Sequence, residues 1–339
     1  MGRKTVYNHI TTDEVISKIL PENIELMDDF LDYLSSLKRS ERTLNGYRSD
    51  LLIFFAWNLQ YNKNKYFVDL TKREVAKFQK HCFDEWKWST NRLARVKSAL
   101  SSMSNYIENV LDDEIEDYKP IIRKIETPIK EMVREKTIIS DEEVDRVLDE
   151  LVEKKKYQTA CALALAANCG CRISELLEFK VSYFDESNIV FDGALYKTPE
   201  QIKTKGRSGG KYLTKYIFVD FKKYFDLWMN ERKKRGIESE WLFVKPSTGE
   251  RAKISTLYSY SETLSKMFGV DFYFHCIRHY LCTKMRKYNL PSNIIQEFFG
   301  WSNLQMIDVY SDIDASEEFG KYFTKDGIKE AKDGSLSDM

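Results

Sequence analysis

Between Met27 and Ile107 the chain repeats one pattern four times: apolar residues three and four positions apart, with nothing that alternates as a strand would. Stripes of that period are buried by packing helix on helix, and this restricts the first third of the molecule to an all-helical fold. Met27, Phe30, Leu31 and Leu34 share one face of a first helix. Ser40 offers an N-cap for a second, whose stripe is Leu44, Tyr47, Leu51, Phe54 and Phe55. Thr71 opens a third with Val75 and Phe78, and Ser89 caps a fourth with Leu93, Val96, Leu100, Met103 and Ile107. A small all-α domain is expected over residues 1–118.

Prolines then punctuate the chain. Residues 119–136, with Pro120 and Pro128, read as an extended linker. Ser140-Asp-Glu-Glu143 is a capping box followed at helical spacing by Val144, Val147, Leu148 and Leu151, so a second domain is expected over 137–339, ending in a polar tail. Residues 157–168 read as a buried helix. Strand-like runs occupy 188–191, 200–204 and 212–219, the last two flanking Gly206-Arg-Ser-Gly-Gly210 as a hairpin. From Phe221 onward the pattern is helical again. The expected class is mainly α with a small antiparallel sheet, an all-α domain joined to an α+β one.

The composition, 42% apolar with only 14 Gly and 6 Pro in 339 residues, supports packed cores and excludes a disordered or collagen-like chain. No run nears the roughly 18 apolar residues of a membrane span. The N-terminal residues lack an apolar signal region, so a cytoplasmic protein with no membrane partner is expected. Six scattered cysteines form no pair of CxxC knuckles and predict free thiols. Because 53 basic side chains balance 53 acidic ones, attraction to a polyanion must come from local clusters. Lys72, Arg73, Lys77 and Lys80 crowd the third helix, and Arg92, Arg95 and Lys97 begin the fourth. Lys197, Lys203, Lys205, Arg207, Lys211 and Lys215 follow the hairpin. These are candidate phosphate contacts, with a merely solvated charged face as the alternative for the helical cluster.

Chemistry gathers in four segments. They are Gly170-Cys-Arg172-Ile-Ser-Glu175-Leu, Gln201-Ile-Lys203-Thr-Lys205, His275-Cys-Ile-Arg278-His279-Tyr, and Phe299-Gly-Trp301-Ser-Asn, with Tyr310 nine residues after Trp301. His275 and His279 have a zinc-binding spacing, but Cys276 stands where a metalloprotease carries its Glu and no third ligand is evident, so no metal is expected. In order and spacing the four segments resemble the tyrosine recombinases, the phage-integrase family. Its pattern is an Arg within G-x-R-x-x-E-L, a hairpin Lys, H-x-x-R-H, L-G-H/W-S, and a nucleophilic Tyr nine residues past that His or Trp. The helix beginning Ser40-Glu-Arg-Thr-Leu-Asn-Gly-Tyr also looks like an early helix of the family's core-binding domain, so the resemblance covers both domains. Trp301 stands where most members carry His; one branch of the family also uses Trp.

The resemblance implies a set of roles that the chemistry makes intelligible. A phosphodiester repels nucleophiles, and its attack builds charge that Arg172 and Arg278 would clamp with permanently cationic forks. Tyr310 would attack, although a phenol of pKa ~10 is only about 0.1% ionised at pH 7. His275 would relieve it of its proton. Trp301 would donate its indole N–H to a phosphate oxygen. Lys203 would protonate the departing 5′ oxygen, with Lys205, on the same strand face, as the alternative. Glu175 and His279 would orient the cluster. The product would be a 3′-phosphotyrosyl link that conserves the phosphodiester energy, so no ATP, metal or other cofactor is implied. The expected protein is a site-specific recombinase, of mobile-element integrase type rather than a resolvase, and a C-shaped clamp on double-stranded DNA. It would be a homotetramer across two sites and a monomer when free. A type IB topoisomerase and a non-catalytic DNA-binding protein are the alternatives, the second opposed by the complete catalytic set.

Overall fold

The computed structural model describes residues 9–129, 137–204 and 211–310, together with the backbone of two short strands at Phe323–Thr324 and Gly327–Ile328. The chain separates into two compact units, the first ending at Glu135 and the second beginning at Lys136.

The first unit is helical: α1 (Asp13–Ile16), α2 (Pro21–Ser36), α3 (Glu41–Tyr61), α4 (Lys72–Asp84) and α5 (Thr90–Val110). Three of the four long helices start where their caps predict, while α2 follows Leu20 with no side-chain cap and opens on Pro21. Ser40 Oγ accepts from the Thr43 N–H, Thr71 and Glu74 form a reciprocal capping box, and Ser89 Oγ accepts from the Arg92 N–H. The expected stripes meet in one core that includes Phe30, Phe54, Phe78, Leu100 and Ile107. The four-residue α1 is an addition, too short to show a period. Ile122 lies in a single 3₁₀ turn and is buried in this same core, so the chain hugs the helices beyond the end of α5.

The second unit opens with α6 (Asp141–Glu153), whose Ser140–Glu143 capping box is formed. Next comes α7 (Tyr157–Cys169), buried at every position from 158 to 167. A helix apolar all round belongs at the centre of a fold, and α7 packs against the rest of this unit's main core. After the short α8 (Ile173–Leu176) come β1 (Ile189–Val190), β2 (Leu195–Lys197), β3 (Ile202–Thr204), β4 (Lys211–Leu213) and β5 (Tyr216–Phe218). They form a three-stranded antiparallel sheet, β1-β2-β5, and a separate hairpin, β3-β4. The run expected as one strand over 212–219 is thus split between two sheets. The split falls where the Lys215 N–H donates to Thr198 Oγ1 and the Thr198 N–H donates back to the Lys215 carbonyl. The unit continues with α9 (Lys222–Arg235), α10 (Ile254–Phe268), α11 (Phe274–Lys287), α12 (Ser292–Phe299) and α13 (Gln305–Tyr310), followed by the two strands β6 (Phe323–Thr324) and β7 (Gly327–Ile328). All six cysteines are buried free thiols. Among the described residues no helix is long and apolar enough to cross a membrane.

Candidate active site

Helices α7, α8, α11, α12 and α13 of the second unit bring Arg172, His275, Arg278, His279, Trp301 and Tyr310 to one place. On α11, His275, Arg278 and His279 lie at i, i+3 and i+4 and so share a face. α7 ends at Gly170, whose φ of +57° is open to glycine, and Arg172 then caps α8. A Cβ on Gly170 would lie 2.2 Å from the Phe299 ring. Gly300 closes α12 in the same left-handed conformation, against the Leu213 side chain of β4, and turns the chain so that Trp301 follows directly. α13 then carries Tyr310 back over α11.

Tyr310 is 5% exposed, and its hydroxyl lies 2.7 Å from His275 Nε2. Its ring stacks on Trp301 at 5.0 Å and lies 4.6 Å from the His279 ring. Trp301 stacks in turn on Phe299 at 4.4 Å. Beneath them Arg278 is fully buried, its guanidinium within 4.8 to 5.5 Å of the Phe299, Trp301 and Tyr310 ring centres. Its two terminal nitrogens donate to the carbonyls of Gly170, at 2.5 Å, and Phe299, at 3.4 Å. Neither Arg278 Nε nor the Trp301 indole N–H has an acceptor among the described residues, although both are buried. A buried donor without a partner costs roughly 1–3 kcal/mol, so each of the two is a donor in want of an acceptor. Burial, reinforced by His279, Arg278 and Arg172, pushes the His275 imidazole down to about 4, so it is neutral at pH 7.

Arg172 is anchored rather than loose. Its Nη1 donates to Glu175 Oε1 at 2.8 Å and its backbone N–H to Oε2 at 3.0 Å. Burial alone would raise the Glu175 carboxyl, but Lys215 and Arg172 hold it down to about 2. Lys203 lies on β3 with its side chain exposed, facing away from the buried Ile202 and Thr204. Its strand runs beside α8, the helix that Arg172 caps. Lys205 and Arg207 lie outside the described residues.

Among the remaining basic candidates, Lys72, Arg73, Lys77 and Lys80 are exposed on α4, Lys80 paired with Asp84. Arg92 and Arg95 grip the buried Asp50 at 2.6 and 2.9 Å, Arg95 staying largely exposed. Lys97 requires correction. It is 4% exposed, and its amine donates to the carbonyls of Ile125 and Glu126, which fastens the chain beyond α5 to the helices. Lys215 leaves the surface set for the same reason, being 1% exposed against Glu175. Lys211 is exposed on β4 and reaches the Gly300 carbonyl at 3.3 Å. Phe299 stands within its sequence segment without an expected role, and the two carbonyls that hold Arg278 were not foreseen, because backbone acceptors carry no side-chain signature.

The phage integrase family pattern matches residues 137–317, and the pattern of the phage integrase N-terminal SAM-like domain matches 26–117. The chain is 28% identical to the SPbeta prophage-derived recombinase-like protein YomM of Bacillus subtilis, over 84% of this chain and 86% of that protein. It is 22% identical to the tyrosine recombinase XerC of Caldanaerobacter subterraneus, over 86% and 84% of the two chains. In fold it is similar to the Tn1549 transposon integrase bound to transposon right end DNA, with TM-score 0.64 and 14% identity over 88% of this chain and 98% of that one. It is also similar to lambda integrase in a tetramer bound to a Holliday junction, with TM-score 0.62 and 17% identity over 85% and 76%. The two matched regions span both units, and the chain belongs to the phage integrase family of tyrosine-type site-specific recombinases.

Proposed function

We propose that this recombinase cleaves and rejoins double-stranded DNA through a covalent 3′-phosphotyrosyl link at Tyr310. The observation that carries the reading is the Tyr310 hydroxyl at 2.7 Å from an imidazole held neutral. With its proton on Nδ1, His275 accepts the phenolic proton at Nε2 as the Tyr310 oxygen bonds to phosphorus. Arg278 Nε and the Trp301 N–H, both without acceptors, meet the non-bridging oxygens together with Arg172. The bond to the 5′ oxygen breaks, and Lys203 supplies the proton that leaves it a hydroxyl. His279, against the Tyr310 ring, and Glu175, bonded to Arg172, hold the others in place. Rejoining runs the same steps in reverse with a 5′ hydroxyl from a partner strand. A topoisomerase or a non-catalytic reading is not favoured, since the named relatives are recombinases.

We assign residues 1–118 to DNA binding and 137–339 to catalysis, joined by 119–136. Exposed Lys72, Arg73, Lys77, Lys80 and Arg95 serve the first and Lys211 the second as phosphate contacts. Each chain brings one Tyr310 and exchange between two sites needs four cleavages, so four copies assemble on two DNA sites inside the cell. Tyr310→Phe removes one oxygen and keeps the ring stack, so fold and DNA affinity are expected to persist while cleavage is abolished. Wild-type protein on nicked target DNA should give a denaturant-resistant, protease-sensitive adduct that peptide mapping places on Tyr310. An adduct formed by the Phe variant would overturn the assignment.

A further inference from the structure

We infer that Lys215 is a positioning residue for cleavage, acting through Glu175 to leave Arg172 with an undivided positive charge for the phosphate. The inference rests on Arg172 as a phosphate clamp and adds a residue that the recombinase pattern quoted above does not contain. Lys215 sits between β4 and β5, where a hairpin cation would be expected to face solvent. Instead it is 1% exposed, and its Nζ lies 2.8 Å from Glu175 Oε2, itself fully buried. Its backbone is locked by the two-way exchange with Thr198. So enclosed, Lys215 cannot reach a leaving oxygen, which keeps the proton-donor role with the exposed Lys203.

The charge count shows what it does there. Glu175 is shared: Oε1 takes the Arg172 side chain, while Oε2 takes Lys215 and the Arg172 N–H. Two cations around one carboxylate leave one net positive charge, and Arg172, 27% exposed, is the member that faces outward. Without Lys215 the carboxylate would neutralise Arg172 alone, and an incoming phosphate would meet a pair of zero net charge. In a poorly solvated site such a balance is felt more strongly than in water. The β4–β5 connection that carries Lys215 also follows directly on the strand pair that carries Lys203. One ion pair therefore sets both the charge of Arg172 and the seat of the hairpin.

The test compares single-turnover adduct formation on nicked DNA for wild type, Lys215→Met, Glu175→Gln, the double variant and Arg172→Ala, with DNA affinity measured in parallel. Lys215→Met is expected to slow adduct formation by about 10- to 100-fold with affinity changed less than about threefold. Its deficit relative to wild type should shrink as pH falls from 8 to 5.5, because its under-neutralised Glu175 then takes up a proton. Wild-type Glu175, held at about 2, stays ionised throughout. The double variant should match Glu175→Gln, since Lys215 has nothing to balance once the carboxylate is gone. A pH-independent deficit, or a double variant a further 10-fold below Glu175→Gln, would show an ion pair that only fastens the strand and would overturn the inference. The second comparison decides the question even where Lys215→Met alone fails to fold. Wild-type cleavage by Arg172→Ala would refute the clamp itself. A large loss there, beside an unimpaired Lys215→Met, would refute only the role of Lys215.

Discussion

The imidazole of His275 shows how a residue's neighbours decide its chemistry. Burial and the nearby His279, Arg278 and Arg172 disfavour its cation, and Glu175 opposes them. In the free protein its titration, followed by NMR of the ring protons, should have a midpoint near 4 rather than the ordinary 6.5. A midpoint above 6 would remove the ready base. The linkage sign follows, because between 6.5 and 4 the unfolded chain binds this proton and the folded one does not. The contribution to stability is therefore complete above pH 6.5 and is lost as pH falls through 4. Bound DNA should move the midpoint up, since a phosphate anion favours imidazolium. The spacing His275, Arg278, Trp301, Tyr310 was legible in the sequence because the family pattern is a pattern of side chains. The protonation state was not, because it depends on α13 closing over α11. Lys97 and Lys215 were misread for a related reason: a lysine on a polar stretch carries no mark of the carbonyl or carboxylate that will enclose it.

At the scale of elements, caps were the most readable signal. Ser40, Thr71, Ser89 and Ser140 each start the helix they predict, since an N-cap acts on its own next three residues. Strands of two or three residues were not readable to the same degree. β2 went unnoticed and β4 and β5 were fused, because a period of two needs several residues to show itself. The junction of α7 with α8 is the most exacting element boundary in the site. Gly170 combines a left-handed φ, a carbonyl that holds Arg278 and contact with the Phe299 ring under Trp301. Gly170→Ala should cost about 1–3 kcal/mol in urea unfolding and slow adduct formation at least tenfold. Gly193→Ala also has a positive φ but meets nothing within 4 Å, so it should lower stability and leave cleavage unchanged. Equal effects of the two on cleavage would show that backbone strain, not displacement of Phe299, is responsible.

On the whole-molecule scale the chain holds separate cores. One gathers buried residues from Ile19 to Ile122, and the others gather residues from Ile139 to Tyr310, with none in common. The helical stripes and the Ser140 capping box made two bodies visible in the sequence, since each stripe must find its partner nearby. The burial of Ile122 was not visible, because Ile121, Ile122 and Ile125 between Pro120 and Pro128 are too few to show a period. Arg172, Lys203, His275, Arg278, Trp301 and Tyr310 all belong to one unit of one chain, and the Tyr310 hydroxyl already touches its own His275. Arg278→Ala chains mixed with Tyr310→Phe chains should therefore stay below about 1% of wild-type cleavage, as no copy owns a whole set. Recovered cleavage would mean that the tyrosine crosses between copies. In genetic terms two such broken alleles cannot rescue each other, and either one placed beside an intact allele should lower its yield by occupying seats in the shared assembly.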